Sequence, residues 1–493
     1  MEDKIKTIEI DGVEFPFNTN KAFEKDGHVY CRQCGEQIDS EPLACLGSKK
    51  IIFGRRCKCD REEEAKRKDE EMANHIRRLK EECFNTSRNL ISCTLDKVID
   101  PFCGSGTALV EANELGIHAI GIDISEFNAF ISNTKVDKYD FKNINHEINK
   151  ILKGLSGRED TLNITKFERE LGELLSEFNN TYFPSPEYKL KVRNKKINAK
   201  KYGREKEEMF LTNYYELIKK YGVELRQEKN DSFLDKWYIK NVRKEMNFVF
   251  DMIKNIKDKK SKKILALILS RTMRSCRATT HSDLATLKEP VMSTYYCHKH
   301  GKICKPLFSI KGWFQRYSRD TVNRLKQFEA LKTETYQICL NGDSRNINIY
   351  EKLKNKNYRL YEIVKKNNIR GIFSSPPYVG LIDYHEQHAY AYDLFGFNRN
   401  DNLEIGPLFR GQGQEARNLY IKGISEVLIN SIKYMEPNFD IFLVANDKFD
   451  LYPKIAKISG LVIVNKFKRP VLNRTERDKG AYSETIFHMK RAG

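Results

Sequence analysis

Two short motifs that lie far apart in the chain contain the residues best suited to binding and chemistry. Residues 374–378 (SSPPY) place two prolines between a pair of serines and an aromatic ring. Because proline fixes the backbone torsion φ, this loop is suited to holding a bound group in position rather than to acid–base chemistry. Residues 100–107 (DPFCGSGT) form a glycine-rich turn, and glycines allow the backbone to approach a ligand at a helix N-terminus.

A third string, residues 121–125 (GIDIS), lies between the two motifs and ends a predicted strand. Its Asp123 is placed to accept hydrogen bonds from both hydroxyls of a ribose. A dinucleotide-binding fold offers the same arrangement, so these residues alone do not identify the ligand. The GxGxxG fingerprint of dinucleotide sites fails here, however, because Leu109 occupies its third glycine position.

The three strings together resemble the signature of the amino-methylating DNA methyltransferases, which modify N4 of cytosine or N6 of adenine. The resemblance covers roughly residues 95–135 and 335–450. It implies S-adenosyl-L-methionine as cofactor and double-stranded DNA as partner. The residues that it assigns to the cofactor are Asp100, Phe102, Gly104, Gly106 and Thr107 on the methionine side, Asp123 on the ribose and Asp343 near the adenine. An ordinary strand-end turn is the alternative for Asp343.

The same resemblance assigns catalysis to Ser375, Pro376, Pro377 and Tyr378. An exocyclic amine is a poor nucleophile because its lone pair is conjugated with the ring. The side chain of Ser375 and the backbone carbonyl of Pro376 are expected to accept hydrogen bonds from that amine, while Tyr378 stacks on a base extruded from the duplex. A serine before the prolines resembles the N4-cytosine group more than the N6-adenine group. Methylation at C5 of cytosine needs a cysteine nucleophile, usually in a Pro-Cys pair, and the chain has no such dipeptide.

Short apolar strands separated by helical lengths must position these motifs. We predict strands at residues 97–100, 117–123, 336–340, 371–374 and 441–445. The pattern predicts an α/β fold with a split, Rossmann-like methyltransferase sheet, a large helical insertion and a small zinc-ribbon-like N-terminal unit. The predicted boundaries are 1–60 for the zinc-ribbon-like unit, 61–92 for a charged helical linker, 93–139 for the cofactor-binding half, 140–335 for a basic insertion with target recognition, and 336–493 for the catalytic half.

Cysteine pairs near the N-terminus point to a structural Zn²⁺ site. Cys31, Cys34, Cys57 and Cys59 form two close pairs across a loop, as in a zinc ribbon, although the second pair is CxC rather than CxxC. Unrelated free thiols are the alternative, and Cys45 could replace one ligand. Twelve cysteines clustered in this way indicate metal ligation in a reducing cytoplasm rather than a disulfide framework.

The segments on either side of these cysteines predict a hairpin and a helix. Residues 6–15 alternate around an Asp-Gly turn, and residues 60–82 are a charged run without Gly or Pro. Together with the second cysteine pair and residues 77–84, this run resembles the N-terminal arm of DnaC-type helicase loaders, so a fusion is one explanation. The chain has no GxxxxGK[ST] motif, and loader function is therefore not implied. In methyltransferases of this family, a segment with Phe and Pro often precedes the glycine turn and packs on the methionine moiety of the cofactor. Residues 84–96 lack such a segment. Either another segment packs on the methionine moiety, or this half of the site is damaged.

Charge and the insertion point to a nucleic-acid partner. The chain of 493 residues carries 87 Lys+Arg against 68 Asp+Glu, and its net charge of +19 fits a polyanion. At residues 270–283, phosphate contacts and a basic, solvated helix face are equally good interpretations. Residues 297–304 could form a second zinc site, but ligands packed so tightly cannot easily all bind one ion, and buried thiols with surface histidines are the alternative. The candidate DNA-contacting residues are Arg271, Arg274, Arg277 and His281 in the insertion, and Asp383 and His385 after the proline loop.

The preferred function is a site-specific DNA methyltransferase of restriction–modification or phage type, with a cognate restriction endonuclease as a potential partner. An RNA amino-methyltransferase is the alternative with the same fold. A non-catalytic, zinc-containing nucleic-acid-binding or replication protein is the alternative outside enzymes. No stretch approaches the ~18 apolar residues of a membrane helix, and the N-terminus lacks the apolar run of a signal peptide. We therefore expect a cytoplasmic protein without membrane contact.

Overall fold

The chain forms two units, residues 1–93 and residues 94–493. The computed structural model describes residues 5–10, 13–32, 37–38, 43–46, 49–52, 96–226, 231–281, 289–305, 309–470 and 483–492. The predicted linker at 61–92 lies outside the described residues, as do Cys34, Cys57 and Cys59. The domain boundaries drawn from the sequence stay predictions.

The described part of the first unit consists of antiparallel hairpins. Its strands are β1 (Ile5–Ile10), β2 (Val13–Asn18), β3 (Ala22–Lys25), β4 (His28–Cys31), β5 (Leu43–Leu46) and β6 (Lys49–Ile52). β1 pairs with β2, β3 with β4 and β5 with β6, and the partners Ile10 and Val13 close the first hairpin as predicted. Cys31 ends β4 and is buried. A small apolar core contains Ile8, Phe17, Ala22 and Val29.

The second unit alternates strands and helices on both sides of a long inserted segment. Its first part contains β7 (Lys97–Asp100), α1 (Thr107–Glu114), β8 (His118–Asp123) and α2 (Glu126–Val136). The inserted segment contains α3 (Phe141–Ser156), α4 (Glu159–Tyr182), α5 (Glu187–Arg193), α6 (Ala199–Tyr221), α7 (Phe233–Trp237), α8 (Lys240–Lys254), α9 (Lys259–Ser275), β9 (Tyr295–Cys297), β10 (Lys302–Cys304) and α10 (Ile310–Leu331). The last part contains β11 (Gln337–Asn341), α11 (Ile349–Lys356), α12 (Tyr358–Lys366), β12 (Ile369–Ser374), α13 (Tyr384–Gln387), α14 (Ala389–Phe395), α15 (Gln414–Ile432), β13 (Met435–Ala445), α16 (Tyr452–Ile458), β14 (Leu461–Pro470) and β15 (Ser483–Arg491).

Seven strands of the second unit form one sheet in the order β11-β8-β7-β12-β13-β15-β14. Neighbours from β11 to β13 are parallel, whereas β15 runs antiparallel to both β13 and β14. Numbered along the chain, the strand order begins 3-2-1-4-5, which is the order of a doubly wound Rossmann sheet. The predicted α/β fold with a central, mostly parallel sheet is therefore confirmed, and it fits a Rossmann-like methyltransferase.

Polar caps fix where the helices next to the sheet and in the insertion begin. The Ser125 hydroxyl accepts a hydrogen bond from the N–H of Asn128 at the start of α2. Asp140 and Asn198 cap α3 and α6 in the same way, which satisfies backbone N–H groups that have no partner within the helix. Gly222 ends α6 in the left-handed conformation, with a φ of +59°.

Two large apolar cores lie in the described part of the second unit. One lies against the sheet, and the other lies in the inserted segment. Phe127 of α2 and both Tyr390 and Tyr392 of α14 belong to the core of the inserted segment. The insertion therefore packs directly on α14, which follows the proline loop in the chain. Within the described ranges, no helix is both long enough and apolar enough for a membrane span.

Candidate active site

The carboxyl ends of β7 and β12 meet at the point where the strand order of the sheet reverses. β8 and β11 lie on one side of β7, whereas β12 and β13 lie on the other. Ligands of doubly wound sheets bind in the crevice that forms at such a point. The hydroxyl of Ser374 donates a 2.5 Å hydrogen bond to Oδ1 of Asp100. The fold therefore brings together the first residues of two motifs that lie far apart in the sequence.

The turn after β7 requires glycine for its backbone conformation and for its packing. Gly104 and Gly106 have φ of +52° and +77°, in the region where other residues are strained. A Cβ on Gly106 would lie 2.7–2.9 Å from atoms of Ser132. Cys103 is buried, and its Sγ occupies the space that a Cβ on Gly121 would need.

Two buried aspartates stand beside this turn. Oδ2 of Asp123 accepts a 2.7 Å hydrogen bond from the N–H of Gly104, while Oδ1 accepts from the N–H of Ser125 and the amide of Asn128. Burial raises the pKa of Asp123 to about 6, although these hydrogen bonds oppose the shift. Burial also raises the pKa of Asp100 to about 6. Both carboxyl groups are thus ionised at neutral pH and protonated in mildly acidic solution.

A cavity of about 170 Å³ at this point contains residues from both motifs. Its lining includes the predicted cofactor residues Phe102, Gly104, Asp123 and Asp343, and the predicted catalytic residues Ser375 and Pro377. Further side chains come from Tyr384, His385, Leu403, Glu404 and Ile405. The predicted cofactor and catalytic residues that do not line it are Asp100, Gly106, Thr107, Pro376 and Tyr378. The structure therefore joins the two predicted halves of the site in one cavity and adds a wall from residues 403–405.

Asp343 follows β11 and is held by a neighbouring arginine. Its carboxylate forms a two-point ion pair with Arg345, with a distance of 2.6 Å from Nη2 to Oδ2 and 2.9 Å from Nε to Oδ1. The carbonyl of Asp343 also accepts hydrogen bonds from the N–H groups of Asn346 and Ile347. Asp343 thus begins the turn that follows β11 and lines the cavity at the same time, so it fits both interpretations of the sequence.

Backbone contacts from a distant segment hold the proline loop. The hydroxyl of Tyr420 donates a 2.9 Å hydrogen bond to the carbonyl of Pro377. The N–H of Gly380 donates to the carbonyl of Gly406, also at 2.9 Å. Gly380 has a φ of +64°, and a Cβ there would lie 2.4 Å from the carbonyl oxygen of Gly411. The loop is therefore fixed by contacts with residues 406–420 in addition to its own prolines.

Exposure changes sharply along the proline loop. Ser375 is exposed on the cavity, whereas Pro376 is buried. Tyr378 is half-buried against the core of the sheet, and its hydroxyl donates a 2.6 Å hydrogen bond to Oε1 of Glu484 on β15. The stacking of Tyr378 on a base stays a prediction.

A buried histidine–glutamate pair lies on the cavity lining, and only its histidine was predicted from the sequence. Glu404 accepts hydrogen bonds from Nδ1 and from the N–H of His385, the latter at 2.7 Å. His385 is 1% exposed and Glu404 is 5% exposed. Nε2 of His385 has no hydrogen-bond partner within the described residues. Glu404 lies in a loop without a recognisable motif, so no sequence signal could have identified it.

The three predicted DNA-contacting arginines have different surroundings. Arg271 donates 2.6 Å hydrogen bonds to Asp320 and Thr321 of α10, which ties α9 to α10. Arg277 is buried, whereas Arg274 is exposed. The contacts of Arg271 and the burial of Arg277 favour structural roles, and Arg274 is left as the arginine best placed for a phosphate contact.

Of the three other predicted DNA-contacting residues, His385 lines the cavity, whereas Asp383 and His281 lie outside its lining. Oδ1 of Asp383 accepts a 3.1 Å hydrogen bond from the N–H of Phe409. His281 belongs to a cluster with Cys297, His300 and Cys304. Both side chains therefore have defined partners within the protein.

Comparisons with known proteins agree with the geometry of this cavity. Residues 60–133, which include the glycine turn and Asp123, match a family model described as DNA methylase. Over 399 residues the chain is 46% identical to the Type II methyltransferase M.MjaII of Methanocaldococcus jannaschii, which covers 80% of this chain and 75% of that protein. The match to the family model starts at residue 60, within the segment that resembles the N-terminal arm of helicase loaders. The resemblance to helicase loaders stays a prediction.

Proposed function

The chain belongs to the family of amino-methylating DNA methyltransferases, and from this premise we propose that it transfers a methyl group from S-adenosyl-L-methionine to the exocyclic amine of a flipped base. As a member of this family it is a site-specific DNA methyltransferase. We propose N4 of cytosine, rather than N6 of adenine, as the acceptor because a serine precedes the prolines. The observation that carries the proposal is the cavity in which Asp123 and Gly104 share a lining with Ser375 and Pro377.

The residues on the cofactor side of the cavity fit S-adenosylmethionine. Asp123 already accepts three hydrogen bonds, and one lone pair of Oδ2 remains to accept a hydrogen bond from a ribose hydroxyl while the same oxygen still holds Gly104. Phe102, Leu403 and Ile405 offer apolar surface, and we propose that they pack on the methionine moiety. When bound, this cofactor supplies an electrophilic methyl group. The residues proposed to hold it are Asp100, Phe102, Gly104, Gly106, Thr107, Asp123 and Asp343.

On the catalytic side, the proline loop is proposed to accept hydrogen bonds from the target amine. Ser375 would accept one hydrogen bond and the carbonyl of Pro376 another, which favours a pyramidal nitrogen with a lone pair available for attack. Because Tyr420 and Gly406 already hold the loop, little reorganisation is needed when the base arrives. Catalysis then rests on fixed hydrogen-bond acceptors.

The target base must leave the duplex to reach this loop. We propose that Tyr378 stacks on it and that the insertion, residues 140–335, reads the DNA, with Arg274 on a phosphate. The positive net charge supports a polyanionic substrate. A restriction–modification role with a cognate endonuclease, and a zinc ribbon in residues 1–60, are further parts of the proposal.

A methyl-transfer assay with labelled cofactor tests the substrate class. The purified full chain is incubated with unmodified genomic DNA, which offers many recognition sequences, and in parallel with single-stranded DNA and with RNA. We expect label in double-stranded DNA, recovered as N4-methylcytosine after digestion to nucleosides. Label in RNA with none in DNA would overturn the proposal in favour of the RNA enzyme.

A further inference from the structure

Four metal-ligand side chains meet in the inserted segment, far in sequence from the predicted zinc ribbon. They are His281, just beyond α9, Cys297 at the end of β9, His300 in the turn, and Cys304 at the end of β10. One ligand atom from each of the four residues lies within 4.8 Å of all the others. We propose that these residues bind one structural Zn²⁺ ion, as a Cys₂His₂ site in addition to the methyltransferase site.

The ligand types and the spacing agree with tetrahedral zinc. Zn–S bonds of ~2.3 Å and Zn–N bonds of ~2.0 Å place tetrahedral ligand atoms roughly 3.3–3.8 Å apart. Nδ1 of His300 already lies 3.5 Å from Sγ of Cys304. The rings of His281 and His300 have centroids 4.3 Å apart. Small side-chain shifts are thus sufficient to bring all four ligands around one ion.

The fourth ligand resolves a difficulty in the sequence pattern. Residues 297–304 contain two cysteines and two histidines in one short segment, and these cannot easily all bind one ion. In the fold, His298 is not one of the four, and its ring lies against Tyr296 instead. His281 takes its place from a different part of the chain. Four protein ligands fill a tetrahedral zinc, so the site is structural rather than catalytic.

A supporting contact orients one of the ligands. The hydroxyl of Tyr295 lies 2.7 Å from Nδ1 of His281, and the N–H of His281 donates to the same hydroxyl at 2.9 Å. Zinc-bound histidines commonly use one ring nitrogen for the metal and the other for such a hydrogen bond. Nε2 of His281 is therefore the nitrogen assigned to the ion.

The zinc would stabilise a hairpin that is too short to be stable alone. β9 and β10 have three residues each, and an isolated two-stranded hairpin is marginal in water. The hairpin packs on α4 and α6: Asn179 exchanges two hydrogen bonds with the backbone of Ile303, and Glu207 accepts one from the N–H of Tyr296. Metal binding would thus fix this surface of the insertion and leave the sheet unaffected.

Metal content of the full chain tests the site directly. The variants are Cys297→Ser and His300→Ala, with His298→Ala as the matched control in the same turn. We expect each of the first two to contain one Zn²⁺ fewer per chain than the wild type by elemental analysis, and His298→Ala to contain as much as the wild type. Equal metal content in all four proteins would overturn the proposal. A Cys297–Cys304 disulfide in the wild-type chain, seen by mass spectrometry without reductant, would overturn it as well.

A second measurement covers variants that fail to fold and separates this site from the zinc ribbon. The double variant Cys31→Ser/Cys57→Ser removes ligands of the predicted ribbon and leaves the four residues of the insertion intact. We expect this protein to bind one Co²⁺ with the spectrum of a tetrahedral site that has two thiolate ligands. If it binds no Co²⁺, or binds it without thiolate-to-metal charge transfer, the Cys₂His₂ assignment is wrong.

Discussion

The glycine turn after β7 and the proline loop after β12 form one cavity, but they are held in place in different ways. The turn is held by the strand and helix that follow it, because Gly104 donates to Asp123 at the end of β8 and Gly106 packs on Ser132 of α2. The loop is held by irregular segments and α15, because Gly380 donates to Gly406 and Tyr420 donates to Pro377. We infer that the turn is a preformed binding surface, whereas the loop is an acceptor group positioned by tertiary contacts. Variants in the two regions should therefore separate cofactor binding from methyl transfer.

The largest effect is expected from Ser375→Ala in the proline loop. Loss of one fixed hydrogen-bonding group in an active site lowers kcat by ~10²–10³-fold, and Ser375 is proposed to act on the amine alone. We expect the Kd for S-adenosylmethionine to change by less than about 3-fold, which is no more than the loss of one weak neutral hydrogen bond would cause. Single-turnover rates and calorimetry measure the two quantities. Equal losses of rate and cofactor affinity would show that the two regions do not act separately.

The converse effect is expected from Asp123→Ala beside the glycine turn. This variant removes a charged acceptor from the ribose, and charge-assisted hydrogen bonds contribute ~1.5–3 kcal/mol, so the Kd for the cofactor should rise by roughly 10–100-fold. Asp123→Asn keeps an acceptor for the N–H of Gly104 and serves as the control for local structure. At saturating cofactor, both variants should retain most of the wild-type rate. An unchanged Kd would remove Asp123 from the proposed cofactor site.

The pH dependence of the glycine turn should have opposite signs for stability and for binding. Burial raises the pKa of both Asp100 and Asp123 from the usual range of an aspartate to about 6. A carboxyl group with a raised pKa in the folded state destabilises the fold increasingly as the pH rises from about 4 to about 6, and the penalty is constant above that range. Hydrogen bonds from ribose hydroxyls, in contrast, require the ionised form.

We therefore expect cofactor affinity to fall by ~10-fold between about pH 7 and about pH 5, because only a tenth of a group with a pKa near 6 is ionised at the lower pH. Thermal unfolding of the chain without cofactor should show that these two groups make the fold more stable as the pH falls from about 6 to about 5. The Asp123→Asn variant should show a weaker pH dependence of binding. Affinity that rises as the pH falls would contradict the proposed role of Asp123.

The smallest effect is expected from Tyr378→Phe, which distinguishes the two possible uses of this ring. The variant loses the hydrogen bond to Glu484 but keeps the aromatic face, so activity should change by less than about 3-fold, with a loss of ~1 kcal/mol in stability. Tyr378→Ala loses the face as well, and a base–aromatic stack contributes ~1–3 kcal/mol. Its activity should fall by at least about tenfold. Similar activities for the two variants would exclude stacking as the role of Tyr378.

The sequence predicted the five parallel strands of the sheet and the two motifs because their signals are local, but it did not predict β14 and β15. Apolar runs, glycines at positions of positive φ and a pair of prolines act within a few residues, and the structure contains the corresponding turn and loop. The order of the strands in the sheet was not predicted, because it depends on which strands pair with each other in the fold.

The sequence did not reveal the partners of residues that meet through tertiary contacts. Glu404 approaches His385 because two loops fold together, and nothing in its neighbourhood marks it. His281 was grouped with the arginines of α9, but its ring turns towards a hairpin that begins more than ten residues later. Arg271 was a candidate for phosphate contact, whereas its partner Asp320 lies on another helix. Each of these pairings depends on packing that periodicity and spacing do not encode.

Nucleoside analysis of DNA from cells that express the chain tests the central claim most directly. DNA is digested to nucleosides and the methylated bases are quantified by mass spectrometry, with cells that express Ser375→Ala as the control. We predict N4-methylcytosine in cells with the wild-type chain and none above background in the control. N6-methyladenine instead would correct the acceptor base, and the absence of any methylated exocyclic amine from the DNA would contradict the account.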